Sequence, residues 1–247
     1  MKKLKWILSI SVVILLMLSG TVLALTAEEI MKKVEDFQYA DSVKMEVEML
    51  IVNGKRQMTK TMTLLSRDSS ALVEFTNPRD RGTKFLKIED DLWMYFPDAE
   101  EVIKISGHML EQGMMGSDFS YQDAMESEKL TELYDYSIIR EEELDGRSCY
   151  VVEGIAKEGA KVSYYRRVSW IDKERFVILK EELYAQSGKL LKLLKTKKVE
   201  KIDGRWYVTE SVMENKLRRN TRTEFRILSI EFNPEIPEDT FSLHNLR

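Results

Sequence analysis

Residues 43–232 read as a succession of short segments with period-two hydrophobicity, separated by turn signals at hairpin spacing. The first segment sets the pattern. Val43, Met45, Val47, Met49 and Ile51 share one face, and Lys44, Glu46 and Glu48 the other. Asn53-Gly54 then supplies the positive-φ pair of a tight hairpin, and 57–65 alternates again. Further strands are predicted at 71–76, 83–88, 92–96 and 102–106, with breaks at Asn77-Pro78, Glu89-Asp90-Asp91 and Pro97-Asp98-Ala99. The pattern lapses between Gly107 and Leu133. Gly107, Gly113 and Gly116 make the first half of that stretch flexible, and 121–133 reads as helical. Strands resume at 136–142, 150–156, 162–171, 176–185, 190–202, 207–216 and 223–232. Ahead of them all, 27–37 is a short amphipathic helix with Ile30, Val34 and Phe37 on one stripe. About a dozen sequential strands imply a mostly β chain built on one large, twisted antiparallel sheet. A sheet of that size curls toward a half-barrel, and the single long non-strand insertion then has a place across its open mouth. Covered in this way, the curl encloses an apolar cavity unless side chains fill it.

The N-terminus has a different character. Lys2, Lys3 and Lys5 precede an apolar run at 6–18, followed by Ser19-Gly20-Thr21 and Ala24. This charged, apolar, small-residue order predicts a signal peptide over 1–24, and the run is too short to favour a permanent span. An uncleaved anchor is the alternative. No cysteine lies near the cleavage region for lipid attachment, so residues 25–247 are expected as one soluble periplasmic domain. The net charge of −4 becomes more negative once the three lysines leave, which argues against nucleic acid as a partner. Cys149 is the only cysteine, so stability rests on the core and not on an internal disulfide. Its alternating neighbours make it a packed strand residue.

Several stretches, in order, resemble a known family: Leu92-Trp93-Met94-Tyr95-Phe96-Pro97, Val102-Ile103-Lys104-Ile105-Ser106-Gly107, Met115-Gly116-Ser117-Asp118-Phe119-Ser120-Tyr121, Trp170-Ile171-Asp172 and Ile236-Pro237-Glu238-Asp239-Thr240-Phe241. Together they resemble the periplasmic LolA-like outer-membrane lipoprotein-sorting proteins across the mature chain. The resemblance implies an eleven-stranded half-barrel covered by lid helices, with a cavity for acyl chains. It implies a carrier that takes lipidated protein or lipid cargo from an inner-membrane transporter to an outer-membrane acceptor. It also implies that Arg67, just after the second strand, latches the lid by donating to carbonyls of 107–120. Asp68 follows it where the best-known members have proline.

Met109, Leu110, Met114, Met115 and Phe119 form the apolar part of the insertion. Either they are a lid whose thioethers conform to varied acyl chains, or they plug the core under a long loop. With His108, the methionines could instead make a soft copper site, although their spacing matches no tight ligand rule. Trp93 and Tyr95 share one face of their strand and are candidates to line the cavity, with packing as the competing reading. Lys189, Lys192, Lys195, Lys197, Lys198 and Lys201 form a basic run that either solvates a strand or docks transiently on anionic lipid. Catalytic motifs are missing: there is no nucleophile elbow, metalloprotease helix or phosphate-cradling loop, and His108 and His244 are the only histidines. No enzymatic activity and no cofactor are therefore expected. The reading is a lipid carrier, with a lipid sensor or scaffold acting through protein contacts as its rival.

Overall fold

The computed structural model describes residues 24–125 and 130–246. The expected signal peptide, apart from Ala24, lies outside the described residues. Helix α1 (Ala27–Gln38) begins with a capping box. The Glu29 N–H donates to Thr26 Oγ1 at 3.2 Å, and the Thr26 N–H donates to Glu29 Oε2 at 2.8 Å. It buries Ile30 and Val34 of the expected stripe together with Met31, while Phe37 is only half-buried and stacks on Phe176 with ring centroids 6.1 Å apart.

Thirteen strands follow among the described residues. The first six are β1 (Ser42–Asn53), β2 (Arg56–Arg67), β3 (Ser70–Phe75), β4 (Lys84–Ile88), β5 (Asp91–Phe96) and β6 (Glu101–Ile105). After the insertion come β7 (Tyr134–Leu144), β8 (Arg147–Ala156), β9 (Arg166–Asp172), β10 (Ile178–Tyr184), β11 (Leu190–Ile202), β12 (Arg205–Asn215) and β13 (Thr221–Phe232). They form one open antiparallel sheet in the order β6-β5-β4-β3-β2-β1-β13-β12-β11-β10-β9-β8-β7, the half-barrel expected from the alternation. The count is thirteen and not the eleven that the family resemblance implied, because every alternating segment finds a partner.

This order has one consequence for function. The chain starts mid-sheet, meanders out to the free edge at β6, and resumes at the opposite free edge, β7. It then meanders back until β13 closes against β1. Residues 106–133 must therefore travel from one edge of the curl to the other. That segment folds through short 3₁₀ turns at Gly107–Met109 and Met114–Gly116, then α2 (Tyr121–Met125) and α3 (Leu130–Leu133).

Two local expectations change. The first hairpin pairs Asn53 with Arg56, so its loop is Gly54-Lys55 and only Gly54 has positive φ, at +59°. The ladder claims Asn53, and glycine at the first loop position is the type II′ arrangement. Strand β9 begins at Arg166, four residues later than expected, because Tyr164 leaves the ladder to contact the insertion.

Side-chain parity carries through the paired registers from edge to edge. On one face lie Val43, Met45, Val47, Met49 and Ile51 of β1, Phe225 and Thr223 of β13, Met213 of β12 and Lys192 of β11. Leu183 of β10, Arg167 of β9, Gly154 of β8 and Tyr136 of β7 continue it. Both α1 and the insertion pack on this concave face, leaving the C-terminal tail to the convex one. Convex Cys149 is fully buried with Val151, Val168 and Trp170, and burial pushes its thiol up to about 11. No helix among the described residues is long and apolar enough to cross a membrane.

Candidate functional site

The floor of the concave face under the insertion is apolar and rich in methionine. Met45, Met49, Met62 and Met94 are buried there with Val43, Val47, Ile51, Phe75, Phe85 and Leu92. From above, Met109, Leu110, Met114 and Met115 pack on this cluster, joined by Met125 and by Tyr121, whose ring lies 5.5 Å from that of Phe85. Thioethers thus face each other from floor and cover. The floor methionines were legible in the sequence as the alternating positions of β1, β2 and β5, but nothing there said that those faces lie opposite the glycine-rich segment. Phe119 reaches farther along, 6.0 Å from Phe225, into a second cluster with Tyr164, Leu183 and Met213.

Polar side chains pin the cover down. Asp118 and Thr223 are 5% and 0% exposed and bond reciprocally. The Asp118 N–H donates to Thr223 Oγ1 at 2.9 Å, and that hydroxyl donates back to Asp118 Oδ2 at 2.9 Å. At the start of α2, Asp123 accepts from Lys192 Nζ, from the Tyr164 hydroxyl and from the Ser120 N–H, all at 2.6 Å. The glycines, expected to loosen this stretch, here allow tight packing. A Cβ on Gly113 would sit 2.1 Å from the Ser117 carbonyl oxygen, and the Met114 N–H closes the loop onto the Phe119 carbonyl at 2.7 Å. Outside the cover, His108, Glu111, Lys192, Asn215 and Arg218 line an open cleft of about 600 Å³.

Arg67 does not hold this cover. Its Nη1 donates to the Ile236 carbonyl at 2.8 Å and its guanidinium lies 5.4 Å from the Phe241 ring, so it anchors the C-terminal tail. Parity is the reason: Arg67 pairs with Ser42, whose side chain points opposite to Val43, and so it points to the convex face. The pins are instead Asp118, inside the Met115–Tyr121 stretch that carried the family resemblance, and Asp123, two residues beyond it. Trp93 and Tyr95 also fall on the convex face, where Lys104 and Lys84 lie 5.2 and 5.9 Å from their rings. The structure does not bring them together with the cover methionines; their neighbours Leu92 and Met94 take that place. His108 lines the cleft while the methionines turn inward, so these four residues do not converge as a copper site would require. Half of the basic run is matched by acids: Lys192 with Asp123 at 2.6 Å, Lys195 with Glu214 at 3.0 Å and Lys198 with Glu200 at 3.1 Å.

A protein-family model described as "uncharacterized protein" matches residues 67–247. A DUF1329-family protein from Desulfovibrio piger has a TM-score of 0.84 at 26% identity, covering 90% of this chain and 98% of its own. A domain ascribed to outer membrane lipoprotein sorting, from Vibrio parahaemolyticus, gives 0.80 at 27% identity, covering 89% and 97%. The chain belongs to the family that the matching family model describes, and its half-barrel is LolA-like. A LolA-superfamily protein from Nitrosomonas europaea shares the fold at 0.76 and 22% identity, covering 90% of this chain and 100% of that one. No curated protein matches. Among these LolA-like chains, coverage near the full length of each means that edge-to-edge sheet and crossing segment are compared as a whole.

The Asp118–Thr223 pin has a testable consequence. Thr223→Val keeps the shape of the side chain but leaves the Asp118 N–H and carboxylate without this partner. Losing hydrogen bonds to a charged group costs about 2 kcal/mol, so local opening of 113–120 should rise roughly thirtyfold. Amide hydrogen exchange would show this in 113–120 with β1–β6 unchanged. Unaltered exchange in 113–120 would mean the pin does not hold the cover.

Proposed function

We propose that the protein is a periplasmic carrier that holds the acyl chains of lipoproteins or other lipids between the concave sheet face and the 107–125 cover. In this reading it is exported by its N-terminal signal and shuttles cargo from an inner-membrane transporter to an outer-membrane acceptor. One observation carries the reading: methionines face each other from floor and cover, and the cover is pinned by a few polar contacts and not covalently closed. Unbranched thioether chains re-pack around guests of different shape at low cost. The lipoprotein-sorting description of the Vibrio parahaemolyticus relative supports the same class of cargo.

Enclosure is what the physics of such cargo demands. Each methylene exposed to water costs about 0.8 kcal/mol, so a chain of about fourteen costs roughly 11 kcal/mol. A chain lying on an open patch still shows half its surface to water, whereas a covered trough removes nearly all of it. Release then requires that the covered state be only modestly favoured, because excess affinity would stop delivery.

Delipidated protein should bind a fluorescent fatty-acyl probe and lose it to acceptor vesicles, with transfer read as a change in energy transfer to a vesicle dye. A protein that binds the probe but never yields it to vesicles is not a carrier, and the sensor reading would stand in its place.

A further inference from the structure

A row of residues crosses the concave face beside the covered floor. Tyr136 of β7, Gly154 of β8, Arg167 of β9, Leu183 of β10 and Lys192 of β11 are directly paired, each with the next. The row begins beneath α1 and ends at Lys192, in the cleft that opens outside the cover. Leu183 is the single apolar side chain in it. Gly154 matters because a Cβ there would sit 2.6 Å from Cε1 of Tyr136. The missing side chain lets the Tyr136 ring lie over β8, toward Arg167.

Arg167 forms a bidentate pair with Glu181: its Nε donates to Oε1 at 3.0 Å and its Nη2 to Oε2 at 2.9 Å. Ser169 Oγ also donates to Glu181, at 2.8 Å. Both charged side chains are buried, at 11% and 3% exposure, so the pair is neutral as a unit in a dry setting. The Nη1 of Arg167 carries two N–H groups that this pair does not use. Tyr136 is 8% exposed, and its hydroxyl has no hydrogen-bond partner among the described residues. By contrast, the Tyr134 hydroxyl one pleat away donates to the Tyr164 carbonyl at 2.7 Å. A buried hydroxyl without a partner is costly, and native proteins seldom keep one without use. Burial together with the carboxylates of Glu181 and Glu35 raises the phenol's pKa, so the group stays a neutral donor and acceptor at all working pH values.

We propose that Tyr136 and Arg167 form a head-group site that receives an uncharged oxygen function, an ester or amide carbonyl or a hydroxyl, at the polar end of the carried acyl chain. This rests on the carrier reading above and adds the chemical class of the cargo. A carboxylate head is disfavoured, because it would join Glu181 in a buried site whose one guanidinium is already neutralised. Geometry fits the two ends together. Five strand spacings separate β9 from β1, about 24 Å at 4.8 Å each, which is the length scale of an extended long acyl chain. Between them lies the apolar bridge of Leu183, Met213, Leu194 and Phe119.

The test uses delipidated protein and two probes with one chain, 1-monooleoylglycerol and oleate, titrated by calorimetry against the parent and Tyr136→Phe. The parent should prefer monooleoylglycerol. Tyr136→Phe should weaken that ligand about tenfold, leave oleate unchanged, and hold or raise the melting temperature. Tyr134→Phe is the structural control: its melting temperature should fall while the head-group preference persists. Equal monooleoylglycerol affinity in parent and Tyr136→Phe would overturn the proposal, as would a preference for oleate that the substitution removes. A parent that binds neither probe sinks the carrier reading itself. Binding of both probes with no effect of Tyr136→Phe sinks only the head-group site.

Discussion

Replacing Met114 and Met115 together by glutamate should reduce acyl-probe affinity by at least about 100-fold while leaving the melting temperature within a few degrees of the parent. Both side chains pack onto the floor of Met45, Met49, Met62 and Met94, so two carboxylates would face an apolar trough. Such groups must be desolvated or take up protons, and either route opposes closure over a hydrocarbon guest. The sheet should tolerate the change, because the Met114–Gly116 turn lies outside every ladder and both side chains are only partly buried. The glutamates can then swing out to water as the cover opens. If these residues merely plug a core, the pattern inverts: the melting temperature drops steeply, and even the parent binds no acyl probe. Recording both quantities on the same preparations separates the two cases.

A second large effect is expected at a site far from the cover. Asp172 ends β9 and is fully buried. It accepts from Arg147 Nε at 2.7 Å and Nη2 at 2.9 Å, and from the N–H groups of Glu174 at 2.9 Å and Arg175 at 3.1 Å. One carboxylate therefore caps the β9–β10 turn and ties it to β8. Asp172→Ala removes four bonds at once, which should cost about 3 kcal/mol; Arg147 softens the loss because it is partly exposed and keeps Glu174. For a chain of this size the melting temperature should fall by about 6–12 °C, and a drop within 1–2 °C would count against this account. The pH dependence has a definite sign. Burial alone would raise the Asp172 pKa, but the bonds from Arg147 and the two N–H groups outweigh it and hold the carboxyl below its usual range. A carboxylate depressed in the folded state contributes in full above its unfolded pKa of about 3.9. That contribution is lost as pH falls through the lower folded value. The parent should therefore converge on Asp172→Ala in stability below about pH 4, while differing from it at neutral pH.

These expectations draw on two kinds of information. The positions of the strands, the helix at 27–38 and the break at 107–133 were legible because alternation and turn residues act locally. Val43 to Ile51 cannot alternate five times and be much else than a half-buried strand, and Gly54 cannot be read as anything but a turn. The Trp170-Ile171-Asp172 motif was visible too, although its capping of the β9–β10 turn was not, since Arg147 arrives from another strand.

Period two states that odd and even residues part company; it does not say which set faces inward. Arg67, Trp93 and Tyr95 were expected at the lid or cavity on residue type and family position, and all three lie on the convex side. That assignment depends on the curl of a thirteen-stranded sheet and on where α1 settles, and both are properties of the whole chain. The same holds for Asp118 and Asp123. Their partners Thr223 and Lys192 are 105 and 69 residues away and are reached only because the cover crosses from one free edge to the other. Sequence alone thus determined the strands, their turns and the one segment free to be a cover. Only the tertiary structure decided which face that segment covers and which residues hold it, because cross-sheet register joins side chains that no local spacing relates.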